Sequence, residues 1–334
     1  MRRRDAGGGS ALLRRRTGGA RAAPLSRPAA PGHRIAPTHV LPASCLRTSY
    51  RIVPYCPATA HVDTVMCVKI ATWNVNSLRA RADRVEAWLE QNDVDVLAIQ
   101  ETKCKDENFP WELFESLDYD VAHFGFSQWN GVAIASRVGL EDVERTFPGQ
   151  PAFGKGGVDP VQEARAIAAT CGGVRVWSLY VPNGRALDDE HMPYKLEWLA
   201  ELNRQAAGWL AEDPKAQIAL TGDWNIAPRD EDVWDMQYFL DNELTHVSQP
   251  ERDAFHAFLD TGFVDPMRER HPGPGVFTYW DYQKLRFPKG EGMRIDFQLL
   301  SPALAARVTD AAVDREERKG KGPSDHAPVV VTLA

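Results

Sequence analysis

The sequence predicts an α/β protein built as a four-layer sandwich, with two packed mixed β-sheets flanked by helices. Three observations favour this fold class. Short apolar runs of strand length recur along most of the chain, amphipathic stretches of helical period lie among them, and regular strand–helix–strand repeats are few. Strands of this kind favour mixed sheets, which bury their apolar faces against each other and against helices.

The predicted elements follow one another from residue 68 to residue 333. Segment 68–74 alternates apolar and polar residues, as a half-buried strand does, whereas segment 94–100 is almost continuously apolar, which is typical of a strand covered on both faces. Similar patterns predict further strands at 119–124, 131–136, 165–169, 174–180, 217–221, 295–300 and 328–333. Helices are predicted at 84–91, 190–210 and 253–260, and Gly262 suits the C-cap of the last one.

Charge divides the chain near residue 66. Residues 1–65 contain eleven Arg and two acidic residues, whereas the remaining 269 residues contain 28 Lys and Arg against 44 Asp and Glu. We therefore expect an Arg-, Pro- and Ala-rich disordered extension over 1–65 and one folded domain over 66–334. The extension fits a targeting peptide, a nucleic-acid-binding arm or translated upstream sequence. We favour the last, a mis-assigned start, because Met66 lies immediately before the first predicted strand.

The lengths of the apolar runs argue against a membrane protein, and the spacing of the cysteines argues against a zinc-binding protein. No apolar run in the sequence approaches the roughly 18 residues that a membrane span requires, so we expect a soluble protein with no membrane partner. The five cysteines include no CxxC pair and no zinc-ligand spacing with histidine. We expect reduced thiols in a reducing compartment.

Polar residues interrupt the chain where predicted strands end or begin. The segments are WNVN at 73–76, QETK at 100–103, YVPNG at 180–184, TGDWN at 221–225, RID at 294–296 and SDHAP at 324–328. A single Asp after a strand is often a turn or a helix cap, but a carboxylate beside a low-dielectric core is costly unless it has a partner. Six such segments together predict one cleft that gathers several carboxylates, amides and His326.

These segments resemble, in the same order, the motif series of the exonuclease III family of apurinic/apyrimidinic endonucleases, within the endonuclease/exonuclease/phosphatase superfamily. The resemblance covers residues 66–334, and QETK, WNGVAI at 129–134 and TYWDY at 278–282 narrow it to the DNA-repair branch. It implies a DNA repair nuclease that uses Mg²⁺, with Mn²⁺ as a substitute, to hydrolyse phosphodiesters in duplex DNA. The expected activities are 3′–5′ exonuclease, 3′-phosphatase or phosphodiesterase, and abasic-site endonuclease.

The resemblance also implies roles for residues of the predicted cleft. Those expected to be catalytic are Tyr180, Asp223, Asn225, Asp296 and His326. Those expected around the metal ion are Asn74, Glu101, Asp223, Asn225, Asp325 and His326, with Glu101 as the principal ligand, since Mg²⁺ prefers oxygen. Asp296 is expected to pair with His326. Whether Asp223 deprotonates the attacking water or only orients it stays open.

DNA must be bound by a local surface, because residues 66–334 carry a net charge of −16. The candidates are Arg79, Lys103, Arg185, Trp280, Lys284 and Arg286, and the resemblance places an abasic-site pocket at Trp280. The expected partner is double-stranded DNA with abasic sites or blocked 3′ ends, bound by a monomer. We expect a cytoplasmic, nucleoid-associated protein of bacterial type, or an organellar one if residues 1–65 are a transit peptide.

Two other functions are compatible with parts of this pattern. A superfamily relative that acts on RNA, a lipid head group or an inositol phosphate would share Glu101, Asp223, Asn225 and His326. A catalytically inactive DNA-binding or scaffold protein would have lost at least one of the expected catalytic positions, and all of them are present in the sequence. The nuclease is therefore the favoured interpretation.

Overall fold

A computed structural model of the chain describes residues 67–334. The predicted boundary near residue 66, and everything predicted for residues 1–65, lies outside the described residues. None of the helices over residues 67–334 combines the length and the apolar character of a membrane-spanning helix.

Eleven strands form in the described residues. They are β1 (Val68–Asn74), β2 (Val96–Gln100), β3 (Asp120–Phe124), β4 (Val132–Ser136), β5 (Glu141–Arg145), β6 (Ala166–Cys171), β7 (Val174–Tyr180), β8 (Ile218–Asp223), β9 (Asp296–Leu300), β10 (Val308–Val313) and β11 (Val329–Leu333). One sheet has six strands in the order β10–β11–β1–β2–β4–β3, and the other has five in the order β5–β6–β7–β8–β9. Each sheet contains one parallel pair, β1 with β2 and β7 with β8.

The α-helices lie between and after the strands along the chain. They are α1 (Ala82–Asn92), α2 (Trp111–Glu115), α3 (His191–Glu212), α4 (Met236–Asp241), α5 (Gln249–Asp260), α6 (Pro266–Arg270), α7 (Arg286–Lys289) and α8 (Pro302–Ala305). The predicted helix at 253–260 begins earlier, at Gln249, because Ser248 and Glu251 form a capping box and Pro250 suits the first turn.

Three apolar layers separate the four layers of the sandwich. Ile70, Val96 and Ile134 of the first sheet share a core with Val176 and Leu300 of the second. On the outer faces, α1 and α2 cover the first sheet, and α3 and α5 cover the second. The predicted four-layer sandwich is confirmed. The predicted strands are also found, whereas β5 and β10 were not predicted.

The topology brings functional ends of strands to one end of the sandwich. The parallel strands β1 and β2 both finish there, as do β7 and β8, where Tyr180 pairs with Asp223. The antiparallel neighbours begin there: Asp296 opens β9 opposite Asp223, and β11 starts opposite the last residues of β1. Residues distant in the chain therefore meet at one edge.

Gly222 allows β8 to deliver Asp223 to this edge. Its φ is +147°, and an added Cβ would lie 1.9 Å from the carbonyl oxygen of Leu179 on β7. Any side chain at this position would push the two parallel strands apart. Glycine before Asp223 is therefore a requirement of the close β7–β8 contact.

Candidate active site

Asn74 connects the two sheets at the centre of the site. It is fully buried at the end of β1, and its Nδ2 donates to Glu101 Oε1 at 2.8 Å and to Asp223 Oδ2 at 2.9 Å. Its Oδ1 accepts from the backbone N–H of Asn76 at 3.0 Å. The amide thus holds one carboxylate from each sheet side by side, and its oxygen is already engaged. As placed here, Asn74 orients the two carboxylates.

Glu101 follows β2 with a φ of +55°, in the left-handed region that a non-glycine residue seldom occupies. Lys103 Nζ lies 2.6 Å from Glu101 Oε2. Burial alone would raise the pKa of Glu101, but the charge of Lys103 and the hydrogen bond from Asn74 outweigh it and lower the pKa. Glu101 is therefore an anionic oxygen donor at the edge of the site.

Asp296 orients His326 through a buried hydrogen bond. His326 Nδ1 lies 3.0 Å and 2.9 Å from the two carboxylate oxygens of Asp296, and Thr278 Oγ1 donates to Asp296 Oδ2 at 2.6 Å. Burial lowers the pKa of His326, but the charges of Asp296 and Asp223 outweigh it and raise the pKa to about 10. His326 is therefore a fixed cation at neutral pH.

The carboxylate of Asp223 faces this cation and has a raised pKa. Its Oδ2 lies 3.8 Å from His326 Nε2, and its Oδ1 accepts from the backbone N–H of Asn225 at 3.0 Å. Burial raises the pKa of Asp223, and the positive charge of His326 only partly offsets this. A carboxylate whose pKa is raised toward neutrality is suited to accept a proton from water.

Glu101, Asp223 and His326 form the candidate metal centre of the described residues, with one donor atom from each lying within 4.8 Å of the others. The two carboxylates suit a hard divalent cation such as Mg²⁺. A protonated imidazole has no lone pair to offer a metal ion, so the fit to such an ion rests on the oxygen donors of Glu101 and Asp223.

Tyr180 lies at the end of β7 beside Glu101. Burial raises the pKa of Tyr180, and the negative charge of Glu101 raises it further, while the Arg165 guanidinium, 4.9 Å from the ring centroid, opposes the shift. The phenol therefore keeps its proton and acts as a neutral hydrogen-bond donor.

Asn225 lies in a cluster that the sequence analysis only partly anticipated. Its Nδ2 donates to the Val181 carbonyl at 3.0 Å, and its Oδ1 accepts from Asn183 Nδ2 at 2.8 Å. His246 Nε2 lies 3.3 Å from the same oxygen. Both polar atoms of the Asn225 amide are therefore engaged by neighbouring protein groups. Asn183 belongs to the YVPNG motif at 180–184. His246 lies in an acidic loop, and no pattern in the sequence marks it as a residue of the site.

Asp325 lies at the rim of the site. Its Oδ1 accepts from Asn76 Nδ2 at 3.0 Å, and it does not join the Glu101–Asp223–His326 cluster. Of the predicted metal-site residues, Asn74, Glu101, Asp223 and His326 converge, whereas Asn225 and Asp325 lie around them.

The predicted DNA-binding cations differ in their surroundings. Arg79, Arg185 and Lys284 are exposed. Lys103 pairs with Glu101, and the Arg286 guanidinium pairs with Glu291 at 2.8 Å and stacks against two aromatic rings. The exposed three form no ion pair with another described residue, whereas Lys103 and Arg286 are engaged by protein groups.

Trp280 requires a correction, because the structure buries it. The side chain is 1% exposed, its ring centroid lies 5.2 Å from that of Phe287, and the Arg315 and Arg318 guanidinium groups cover it. Neighbouring residues of an extended segment point to opposite sides, so Tyr279 faces the site instead. Its ring centroid lies 4.8 Å from that of His326.

Tyr279 lines a cavity of about 180 Å³ next to the reacting groups. Apolar and aromatic walls come from Trp234, Leu244, Tyr279 and Met293, and polar groups come from His246 and Arg286. At roughly 30 Å³ for each water molecule, the cavity suits a group of about the size of a sugar. An aromatic cavity beside the predicted cleft is present, but Tyr279 and not Trp280 forms its wall.

The fold and the site together define a class of hydrolase in which strand-end carboxylates, amides and an Asp–His pair act at one end of a four-layer sandwich. The model of the endonuclease/exonuclease/phosphatase family matches residues 71–326. The chain is a phosphodiester hydrolase of this superfamily and belongs to its exonuclease III family of apurinic/apyrimidinic endonucleases.

Individual relatives agree with this assignment. An exodeoxyribonuclease III of Haemophilus influenzae is 30% identical over 272 residues, which cover 78% of this chain and 98% of that protein. The structure of a 3′ phosphatase from Neisseria bound to a product DNA hairpin matches with a TM-score of 0.74 and 38% identity, over 80% of this chain and 99% of that chain. An AP endonuclease from Archaeoglobus fulgidus gives a TM-score of 0.72 and 36% identity over the same shares.

Proposed function

We propose that this protein is a Mg²⁺-dependent DNA repair nuclease that hydrolyses phosphodiesters in duplex DNA at abasic sites and blocked 3′ ends. The observation that carries the proposal is the convergence of Glu101, Asp223 and His326 within 4.8 Å, with Asn74 holding the two carboxylates. The names of the relatives, an exodeoxyribonuclease III, a 3′ phosphatase and an AP endonuclease, support DNA as the substrate.

The chain's own residues can perform most of the chemistry. A divalent cation held by Glu101 would neutralise part of the phosphate charge. The His326 imidazolium, fixed by Asp296, and the Tyr180 phenol donate to phosphate oxygens and stabilise the charge that develops there. Asp223 accepts the proton of the attacking water, which agrees with its raised pKa.

The cavity beside His326 supports the choice of damaged ends. Tyr279, Met293 and Trp234 offer apolar and aromatic surface to a sugar that has lost its base or lies at a 3′ end. A nucleotide with its base paired inside the helix could not enter a space of about 180 Å³ without leaving the stack. The same cavity therefore serves abasic and terminal sugars.

We extend the proposal to the whole chain. Residues 66–334 constitute the catalytic domain and act as a monomer, and residues 1–65 are dispensable for cleavage. The bacterial relative supports a cytoplasmic location, where the DNA substrate lies.

The decisive test compares three substrates in Mg²⁺: a duplex with a single abasic site, a duplex with a 3′-phosphate, and an inositol phosphate. We expect cleavage of both duplexes, loss of activity in EDTA, and recovery when Mg²⁺ or Mn²⁺ is added back. Hydrolysis of the inositol phosphate alone would assign the protein to another branch of the superfamily. Full activity in EDTA would show that Glu101 does not hold a metal ion needed for cleavage.

A further inference from the structure

A second opening, separate from the sugar cavity, meets the reacting groups at Glu101 and Tyr180. It is a groove of about 650 Å³, and none of its lining residues lines the cavity at Tyr279. A phosphodiester has one nucleotide on each side of the phosphorus. The cavity at Tyr279 takes the sugar on one side of the phosphorus. The groove is therefore the space available to the strand on the other side of the phosphorus.

The groove has an unusually apolar and exposed wall. Phe126 is 52% exposed, Trp129 67%, Val158 66% and Val161 58%, and all four line the groove. Contiguous exposed apolar surface on a soluble protein commonly marks a binding site. Four of the most exposed large apolar side chains in residues 67–334 therefore gather beside the catalytic groups.

Trp129 lies on a loop whose backbone is held in place. Its own N–H donates to Ser127 Oγ at 3.1 Å, and the next residue, Asn130, donates through Nδ2 to Glu163 at 2.9 Å. The Asn130 carbonyl also accepts from the N–H of Lys103 at 2.9 Å. The loop is thus tied to the segment that carries Glu101, so the backbone that presents the exposed Trp129 ring is held in place.

The charges along the groove suit a nucleic acid strand. Two of the three acids along the groove are compensated, because Glu101 pairs with Lys103 and Glu163 pairs with Arg165 at 2.6 Å. The third, Asp159, is exposed and forms no ion pair with another described residue. Arg185 is exposed in the groove and forms no ion pair with another described residue. Proteins bind single strands with an aromatic ring that stacks on a base and a cation that meets the backbone, and both kinds of group line this groove.

We propose that this groove binds unpaired nucleotides of the strand that carries the scissile phosphate, with one base stacked on Trp129. The inference rests on the proposed function, because it requires a DNA phosphate at Glu101 and Tyr180. A base inside an intact helix offers no free face to a tryptophan ring, whereas a mismatched or frayed base does. The groove would therefore favour substrates whose base pairs next to the cleaved bond are open.

The test uses two duplexes with a single abasic site that differ only in whether the base pairs next to the cleaved bond are matched or mismatched. Trp129→Ala should raise the KM for the mismatched duplex about tenfold relative to the KM for the matched one, the scale of one lost base stack. Trp129→Phe should keep most of the selectivity. Val143→Ala, an exposed apolar residue on strand β5, is the matched control and should leave both KM values unchanged.

A binding measurement separates this inference from the proposed function. Fluorescence anisotropy of a labelled oligothymidine in EDTA reports strand binding without cleavage, and Trp129→Ala should weaken it about tenfold. Equal KM changes on both duplexes, or unchanged oligothymidine binding, would refute base stacking at Trp129. If the wild-type protein cleaved neither duplex, the proposed function would fail, while the anisotropy data would still decide whether the groove binds a strand.

Discussion

At the residue scale, the site depends on two buried aspartates with different partners. Asp296 is committed to His326 and Thr278, so it supplies a fixed negative charge that keeps the imidazole protonated. Asp223 instead faces the reacting space, and burial raises its pKa. The different surroundings of the two carboxylates divide the roles of orienting a cation and accepting a proton.

The substitution Asp223→Asn tests the second role. An amide of the same shape cannot accept the proton, so the single-turnover rate on an abasic duplex should fall by roughly 10²–10⁴, the usual contribution of general base catalysis. Thermal unfolding should show no loss of stability, because the substitution removes a buried charge. Asp120→Asn on the exposed start of β3 is the matched control. Cleavage by Asp223→Asn at a near-normal rate would remove Asp223 from the mechanism.

Most of the residues at the site could be found from the sequence because polar groups at strand ends are locally visible. What the pattern could not decide was the direction of single side chains. In TYWDY either aromatic could face the cleft, and a shift of one residue exchanges Tyr279 for Trp280. His246 carries no local signal, since it enters the site only through the fold of a distant loop.

At the scale of elements, one buried ion pair holds three loops of the site together. Lys195 of α3 donates to the carbonyl of Asn225 at 2.6 Å, to the carbonyl of Asn183 at 3.3 Å and to Glu251 of α5. Glu251 in turn accepts from the backbone N–H of His246 at 3.0 Å. The pair therefore fixes the loops that carry the Asn183–Asn225–His246 cluster.

Breaking this pair should reduce the rate by more than the lost stability explains. Lys195→Met leaves the buried Glu251 carboxylate without its cationic partner and should destabilise the protein by about 3–5 kcal/mol. Adding Glu251→Gln should restore much of that stability but not kcat, because the Asn183 and Asn225 carbonyls remain unanchored. Urea unfolding and single-turnover rates would be compared with Leu202→Ala, a core variant of the same helix. Recovery of kcat together with stability would show that the pair is only structural.

The elements that the sequence did not predict share a physical cause. Strand β5 is largely exposed and β10 has a mixed pattern, since each lies at the edge of its sheet and needs little apolar surface. The short helices α2, α4, α6, α7 and α8 span less than two turns, too few residues for a periodic signal. Long or doubly covered elements were predictable because burial imposes a pattern along their whole length.

At the scale of the whole molecule, the two sheets are joined by polar groups beneath the site as well as by the apolar core. Gln100 of the first sheet donates to Ser178 of the second at 2.9 Å, and Gln298 of the second donates to the Ile70 and Val329 carbonyls of the first at 2.9 Å each. Strand patterns in the sequence show which face is buried but not which strand lies opposite. The pairing of the sheets, which assembles the site, was therefore available only through the resemblance.

The stability of the whole domain should depend on pH through His246. Burial and, to a smaller extent, the charge of Lys195 lower the pKa of His246 to about 4. The unfolded chain binds this proton near pH 6.5, so between pH 6.5 and pH 4 the unfolded state holds more protons and stability falls as the pH falls. With allowance for partial exposure of the ring, the loss should reach about 2 kcal/mol. Urea unfolding of the wild type and of His246→Gln at a series of pH values isolates this contribution, because the other titrating groups are common to both. The stability advantage of the wild type should shrink steadily below pH 6.5, and a constant difference down to pH 4 would mean that His246 titrates normally in the folded protein.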